Sequence, residues 1–250
     1  MLPVRPLSSA RVAVVHEWLY TYAGAEKVLE QILDLFPNAE IFSLIDFLPE
    51  KDRHILGGRK VHTSFLQKMP LVRKKHQWFL PLMPLAIEKF NLSSFDIILT
   101  SSYAVAKGVL TGPNQLHICY CHSPVRYAWD LQHQYLYQWH IHRGLRSLFA
   151  IWVLNKLRIW DHVGSNGVDR FIANSRFISR RIWKTYRRDS KVIHPPVDTS
   201  FFVPDSPRGD TYVTVSRLVG YKRVDLLVET FRQLPDRKLV VIGAGENLDA

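Results

Sequence analysis

The residues with the most chemistry to offer sit at turns. His122 closes the apolar run His117-Ile-Cys-Tyr-Cys-His122 and precedes Ser123, Pro124 and the stretch Arg126-Tyr-Ala-Trp-Asp130. An imidazole at the end of a strand can hydrogen-bond a hydroxyl or stabilise charge without acting as a general base. Cys119 and Cys121 are near it in sequence, but strand alternation points His122 away from both thiols. With no further cysteine in the chain, the group does not read as a metal site. Arg217 and Lys222 flank a turn in Ser216-Arg-Leu-Val-Gly-Tyr-Lys222, positioned to send two cations toward one anion, although two solvated charges on a turn would look the same. Near the start, Tyr22-Ala-Gly-Ala-Glu26 follows an apolar run and opens a helical pattern. A strand, glycine turn and helix aim backbone N–H groups beyond the strand's carboxyl end, the place of Gly24. An ordinary turn is the alternative there, and Glu26 is expected to cap or start the helix rather than react.

These residues need a frame that sets them at one end of a sheet. Runs at residues 11–18, 39–45, 95–101, 117–122 and 168–174 read as strands, and they alternate with helical stretches, which means α/β with a parallel sheet. Ser175 is placed to cap a basic helix over 176–186. Two prolines in 191–198 break the pattern, and Pro204, Pro207 and Gly209 give the following stretch the composition of a hinge. A fresh unit then begins with a strand at 212–216, a helix at 224–234 and a strand at 238–243 that ends in Gly-Ala-Gly-Glu. A two-stranded sheet has too little buried face to stand alone. The expected division is an irregular lead (1–10), a complete Rossmann-like domain (11–203), a linker (204–210) and the first part of a second such domain (211–250).

Composition narrows the partners. The 250 residues are 47% hydrophobic, enough for a real core, and carry a formal charge of +11. That charge attracts polyanions of every kind. No zinc-finger spacing or RNP-type stretch accompanies it, so nucleic acid is not expected. Two cysteines exclude a disulfide framework, the first ten residues lack the apolar core of a signal peptide, and the longest apolar patch (147–154) is too short to span a bilayer. The expectation is a cytoplasmic chain with reduced thiols. Residues 68–90 set Arg73, Lys74 and Lys75 beside Trp78 and Phe79, a mixture suited to an anionic headgroup boundary. Residues 135–160 are similar, but Leu148, Ile151, Val153, Leu154 and Leu157 could instead form a core-facing stripe.

Taken in order, Ala23-Gly-Ala-Glu26, His122 to Asp130, Val168 to Ser175 with Val192-Ile-His-Pro-Pro-Val-Asp198, and Ser216 to Lys222 resemble the retaining glycosyltransferases of GT-B fold known as family four, especially bacterial mannosyltransferase-like members. The resemblance implies hexose transfer from a sugar nucleotide (GDP-mannose or a UDP-hexose) to a glycolipid or polysaccharide acceptor, with retention, at the cytoplasmic face of a membrane. It implies that Arg217 and Lys222 clamp the donor pyrophosphate with no metal or other cofactor. It sets His122 against the donor sugar as the catalytic residue, and Gly24 where backbone approaches the phosphates or acceptor. Arg126, Tyr127, Asp130 and Ser102 are the accompanying cleft candidates. Many relatives have two adjacent glycines where this chain has Ala23 and Gly24. Relatives also carry, further along, a Glu-x7-Glu pair that holds ribose and sugar. The sequence ends before such a segment, so little transfer is expected from the chain alone, as a piece of a longer protein or the product of a split gene. The alternative is a non-catalytic module that binds an anionic lipid or a glycan.

Overall fold

The run at 11–18 forms β1 (Val12–His16), and every residue in it is buried. A strand apolar on both faces suits the middle of a parallel sheet with helices above and below. The computed structural model, which describes residues 9–201 and 209–245 apart from the side chain of Tyr221, places β1 there. β2 (Glu40–Ser43) and β3 (Val61–Thr63) lie on one side of it. β4 (Ile97–Ser102), β5 (Leu116–Cys121), β6 (Arg170–Ala173) and β7 (Ser190–Val192) lie on the other. All pairings are parallel, in the order β3-β2-β1-β4-β5-β6-β7. The order reverses between β1 and β4, and the crevice outside the carboxyl ends at such a point is where open α/β sheets bind ligands.

The helices of the described residues are α1 (Gly24–Leu35), α2 (Val72–Lys75), α3 (Met83–Glu88), α4 (Gln132–Gln138), α5 (Gly144–Gly164), α6 (Arg176–Tyr186) and α7 (Val224–Arg232). Strand parity decides what each covers. Val12 and Val14 share a cluster with Leu29 and Leu33 of α1, whereas Ala13 and Val15 share one with Ala86 and Ile87 of α3 and Leu154 and Leu157 of α5. Burying each such side chain contributes roughly 1.5–3 kcal/mol. Ile178, Ile182 and Tyr186, four residues apart along α6, close over Cys119, Cys121 and Phe171. The Ser175 hydroxyl accepts the Ile178 N–H at 3.2 Å, the expected cap. Lys107 pairs with Asp161 of α5 in the core, and Asp161 also accepts Trp129 Nε1–H at 2.7 Å and the Tyr186 hydroxyl at 2.8 Å, which ties α5 to α6.

β3 and β7 were not expected. Each is a three-residue strand at a sheet edge with half-exposed or exposed residues, so neither leaves an apolar run to read. Residues 135–160 divide into α4 and α5, with His140 at positive φ between them and Gly144 at positive φ where α5 opens.

The chain divides into two compact units, Met1–Val197 and Asp198–Ala250. In the second, β8 (Thr211–Val215) and β9 (Lys238–Ile242) pair in parallel beside α7. Gly243 and Gly245 pass so close to the loop after β8 that a Cβ would lie 1.9 Å from the Ser216 carbonyl oxygen and 2.2 Å from that of Leu218. Residues 1–8 of the expected lead and 204–208 of the expected linker lie outside the described residues.

Candidate active site

Register carries three polar side chains to one place. His16 on β1 pairs with Ser101 on β4, and Ser101 pairs with Tyr120 on β5. Paired residues share a sheet face and side chains alternate along a strand. His16, Ser101 and His122, two residues past Tyr120, therefore emerge on one face at the carboxyl ends. The same parity puts His16 on the α1 side, and Glu26 stands in the first turn of that helix.

The contacts form a continuous chain. His122 Nε2 lies 2.9 Å from Ser101 Oγ, which lies 3.1 Å from His16 Nδ1, and His16 Nε2 lies 3.4 Å from Glu26 Oε1. Glu26 Oε2 also accepts the Ala23 N–H at 3.0 Å, so this residue both caps α1, as expected, and reaches into the cluster. Burial pushes the Glu26 carboxyl up, but the hydrogen bond from His16 and backbone N–H groups outweigh it and leave the acid lowered and ionised. Burial pulls His122 down to about 4, and the nearby Glu26 carboxylate opposes this. His122 is therefore a neutral imidazole at neutral pH. The Tyr103 ring stands 6.0 Å from both His16 and His122, and Tyr120 stands 5.1 Å from His122.

The other residues singled out in the sequence have different surroundings. Ser102 is buried, and its hydroxyl donates to Glu17 Oε1 at 2.9 Å. The Glu17 carboxylate also accepts the N–H groups of Tyr103, Ala104, Val105 and Ala106, which pins the turn after β4. Gly24 opens α1, and a Cβ there would meet nothing within 4 Å, so packing does not demand a glycine. Tyr127 is half-buried against Tyr135 and Trp139, burial pushes its phenol far up, and Asp130 pairs with Arg181 of α6. Arg126 is half-buried in the turn between β5 and α4. In the second unit, Arg217 and Lys222 are exposed on the loop from β8 to α7, Lys222 ending a 3-10 turn that runs from Gly220. A depression of about 410 Å³ between residues 88–93 and 110–115 lies at the amino end of β5, away from this chemistry.

The sequence matches the model of Glycosyltransferase Family 4 over residues 23–201, more than half of the chain. The chain belongs to glycosyltransferase family 4. No curated protein matches this family-4 sequence. Among solved structures, Anabaena HepE in complex with UDP and glucose is similar at 15% identity and a TM-score of 0.53, over 94% of this chain and 61% of that one. Its complex with UDP gives 14% and 0.51, over 95% and 70%. At such identity the likeness is one of fold, and it bears out the expected α/β architecture of GT-B type. The chain spans less than two thirds of the first HepE structure.

Sequence reading reached His122 but not His16, Ser101 or the second contact of Glu26. The available signal was polarity at the carboxyl ends of buried strands: His16 and Glu17 end the first apolar run, and Thr100, Ser101 and Ser102 end the fourth.

Proposed function

We propose that this family-4 protein transfers a hexose from a nucleoside diphosphate sugar to a lipid-linked or polysaccharide acceptor with retention of configuration. The observation that carries the reading is a neutral His122 held at the carboxyl ends of β4 and β5, beside the switch point of the sheet. There the imidazole can accept from or donate to a sugar hydroxyl without bringing a charge. Arg217 and Lys222 offset the negative charge that grows on the departing diphosphate, the task a metal performs in other transferases, and the exposed backbone at Gly24 is open to close approach. GDP-mannose is the first donor to test on the sequence likeness. UDP-glucose is the second, because the Anabaena structures hold UDP and glucose.

The acceptor surface is anionic membrane on the cytoplasmic face. No helix of the described residues is long and apolar enough to cross a bilayer. Yet α5 exposes Leu145, Leu148, Phe149, Trp152, Ile159 and Val163 along one face, Leu145 at 84% and Trp152 at 57%, with Arg143, Arg146 and Lys156 nearby. In the run at 68–90, Leu71, Trp78 and Leu85 are exposed, and the Lys75 ammonium stands 3.9 Å over the Trp78 ring. Apolar stripes edged by cations suit a headgroup boundary.

The test is transfer of labelled sugar from GDP-mannose and UDP-glucose to a membrane lipid extract by the full-length protein, with the anomeric configuration of the product read by NMR. His122→Ala and Lys222→Ala should each lower turnover by about 10²-fold or more. Binding to anionic vesicles without transfer from any sugar nucleotide would instead establish the non-catalytic module.

A further inference from the structure

We propose that Glu26, His16 and Ser101 form a relay that sets the tautomer of His122, placing its proton on Nε2 and leaving Nδ1 as an acceptor. The use of that acceptor in transfer rests on the function proposed above; the tautomer does not. The three are positioning residues, acting through His122.

An ionised carboxylate only accepts, so His16 Nε2 carries a proton directed at Glu26 Oε1. With that as its single proton, His16 has a lone pair on Nδ1, and the Ser101 hydroxyl donates to it across 3.1 Å. A hydroxyl has one proton. Ser101 Oγ can thus only accept from His122 Nε2, 2.9 Å away, and the His122 proton belongs there. One proton added to His16 would turn Ser101 round and move the His122 proton to Nδ1.

β5, the strand that leads into His122, holds a contrasting case. His117 Nδ1 lies 3.1 Å from the Gly167 carbonyl oxygen, which only accepts, so His117 is protonated on Nδ1 and its Nε2 accepts from the Thr100 hydroxyl at 3.1 Å. Burial pulls both histidines to about 4, so both are neutral near pH 7 and each has a defined tautomer. A general effect of burial cannot produce opposite tautomers in two histidines five residues apart; opposite partners can.

Long-range ¹H–¹⁵N correlations on the histidine-labelled protein at neutral pH read these states directly, with signals assigned through His122→Gln and His117→Gln. His122 should show the Nε2–H pattern and His117 the Nδ1–H pattern. Ser101→Ala should convert His122 to a mixture of tautomers and leave His117 unmoved, and Ser101→Thr, which keeps the hydroxyl, should restore the single form. An Nδ1–H pattern for His122 in the unaltered protein, which needs no variant to observe, would overturn the relay. So would a His122 pattern that Ser101→Ala leaves unchanged. The expected tautomers without sugar transfer would uphold the relay and sink the transferase reading, and transfer with the Nδ1–H form would do the reverse.

Discussion

Glu17 shows how much one carboxylate can hold. Its two oxygens take the Ser102 hydroxyl and four successive backbone N–H groups at 2.7–3.0 Å, all from the turn that follows the strand bearing Ser101. Glu17→Gln keeps the shape but turns donors toward donors, and loss of charge-assisted bonds in a buried site costs about 3 kcal/mol. Urea denaturation should show a midpoint lowered accordingly. His117 and His122 make a second residue-level prediction. Burial lowers both from 6.5 to about 4, so between those values the unfolded chain binds more protons than the folded one. Stability is then fully present above about pH 6.5 and falls as pH drops toward 4, by up to about 1.4 kcal/mol per pH unit for each histidine. Denaturation measured at several pH values should give that slope, and His117→Asn should roughly halve it.

Among the elements, α5 is the one whose two faces do different work. Leu154, Leu157 and Asp161 are buried, while the exposed face carries large apolar side chains that nothing in the first unit covers. If that face docks on lipid, Leu148→Glu with Trp152→Glu should abolish co-flotation with phosphatidylglycerol vesicles without lowering the thermal midpoint, since both residues are exposed. Retained flotation would move the docking surface elsewhere. The sequence allowed two accounts of this stretch, and the structure divides them by residue: Leu154 and Leu157 are core, Leu148 is not. The central strands were legible because a strand buried on both sides must be apolar throughout, as β1 is. The edge strands β3 and β7 were not, because pairing on one side places no such demand on composition.

At the scale of the whole molecule, 33 lysines and arginines against 22 aspartates and glutamates give attraction to anionic surfaces at a distance, before any apolar contact forms. Raising salt from about 0.05 M to about 0.5 M shortens the reach of that attraction severalfold. Vesicle binding by the unaltered protein should weaken in parallel, whereas purely apolar docking would not respond. Distance along the chain decided which residues of the site were readable. His122 stood out because its neighbours form a local motif. Its partners did not, because His16 and Ser101 are 85 residues apart and meet only through the register of two paired strands.

That separation has a consequence during synthesis. β1 leaves the ribosome before the other strands of its sheet yet ends in the interior, with β2 along one edge and β4 along the other. At elongation rates of about 5–20 residues per second, the edge awaiting β4 stays open for about 4–17 s after β1 has been made. An apolar strand with an unpaired edge is a template for foreign pairing. The nascent chain thus passes through a window in which a strand of the sheet's interior is its most vulnerable one, and a holding chaperone that acts within those seconds would have more effect on yield than any later rescue.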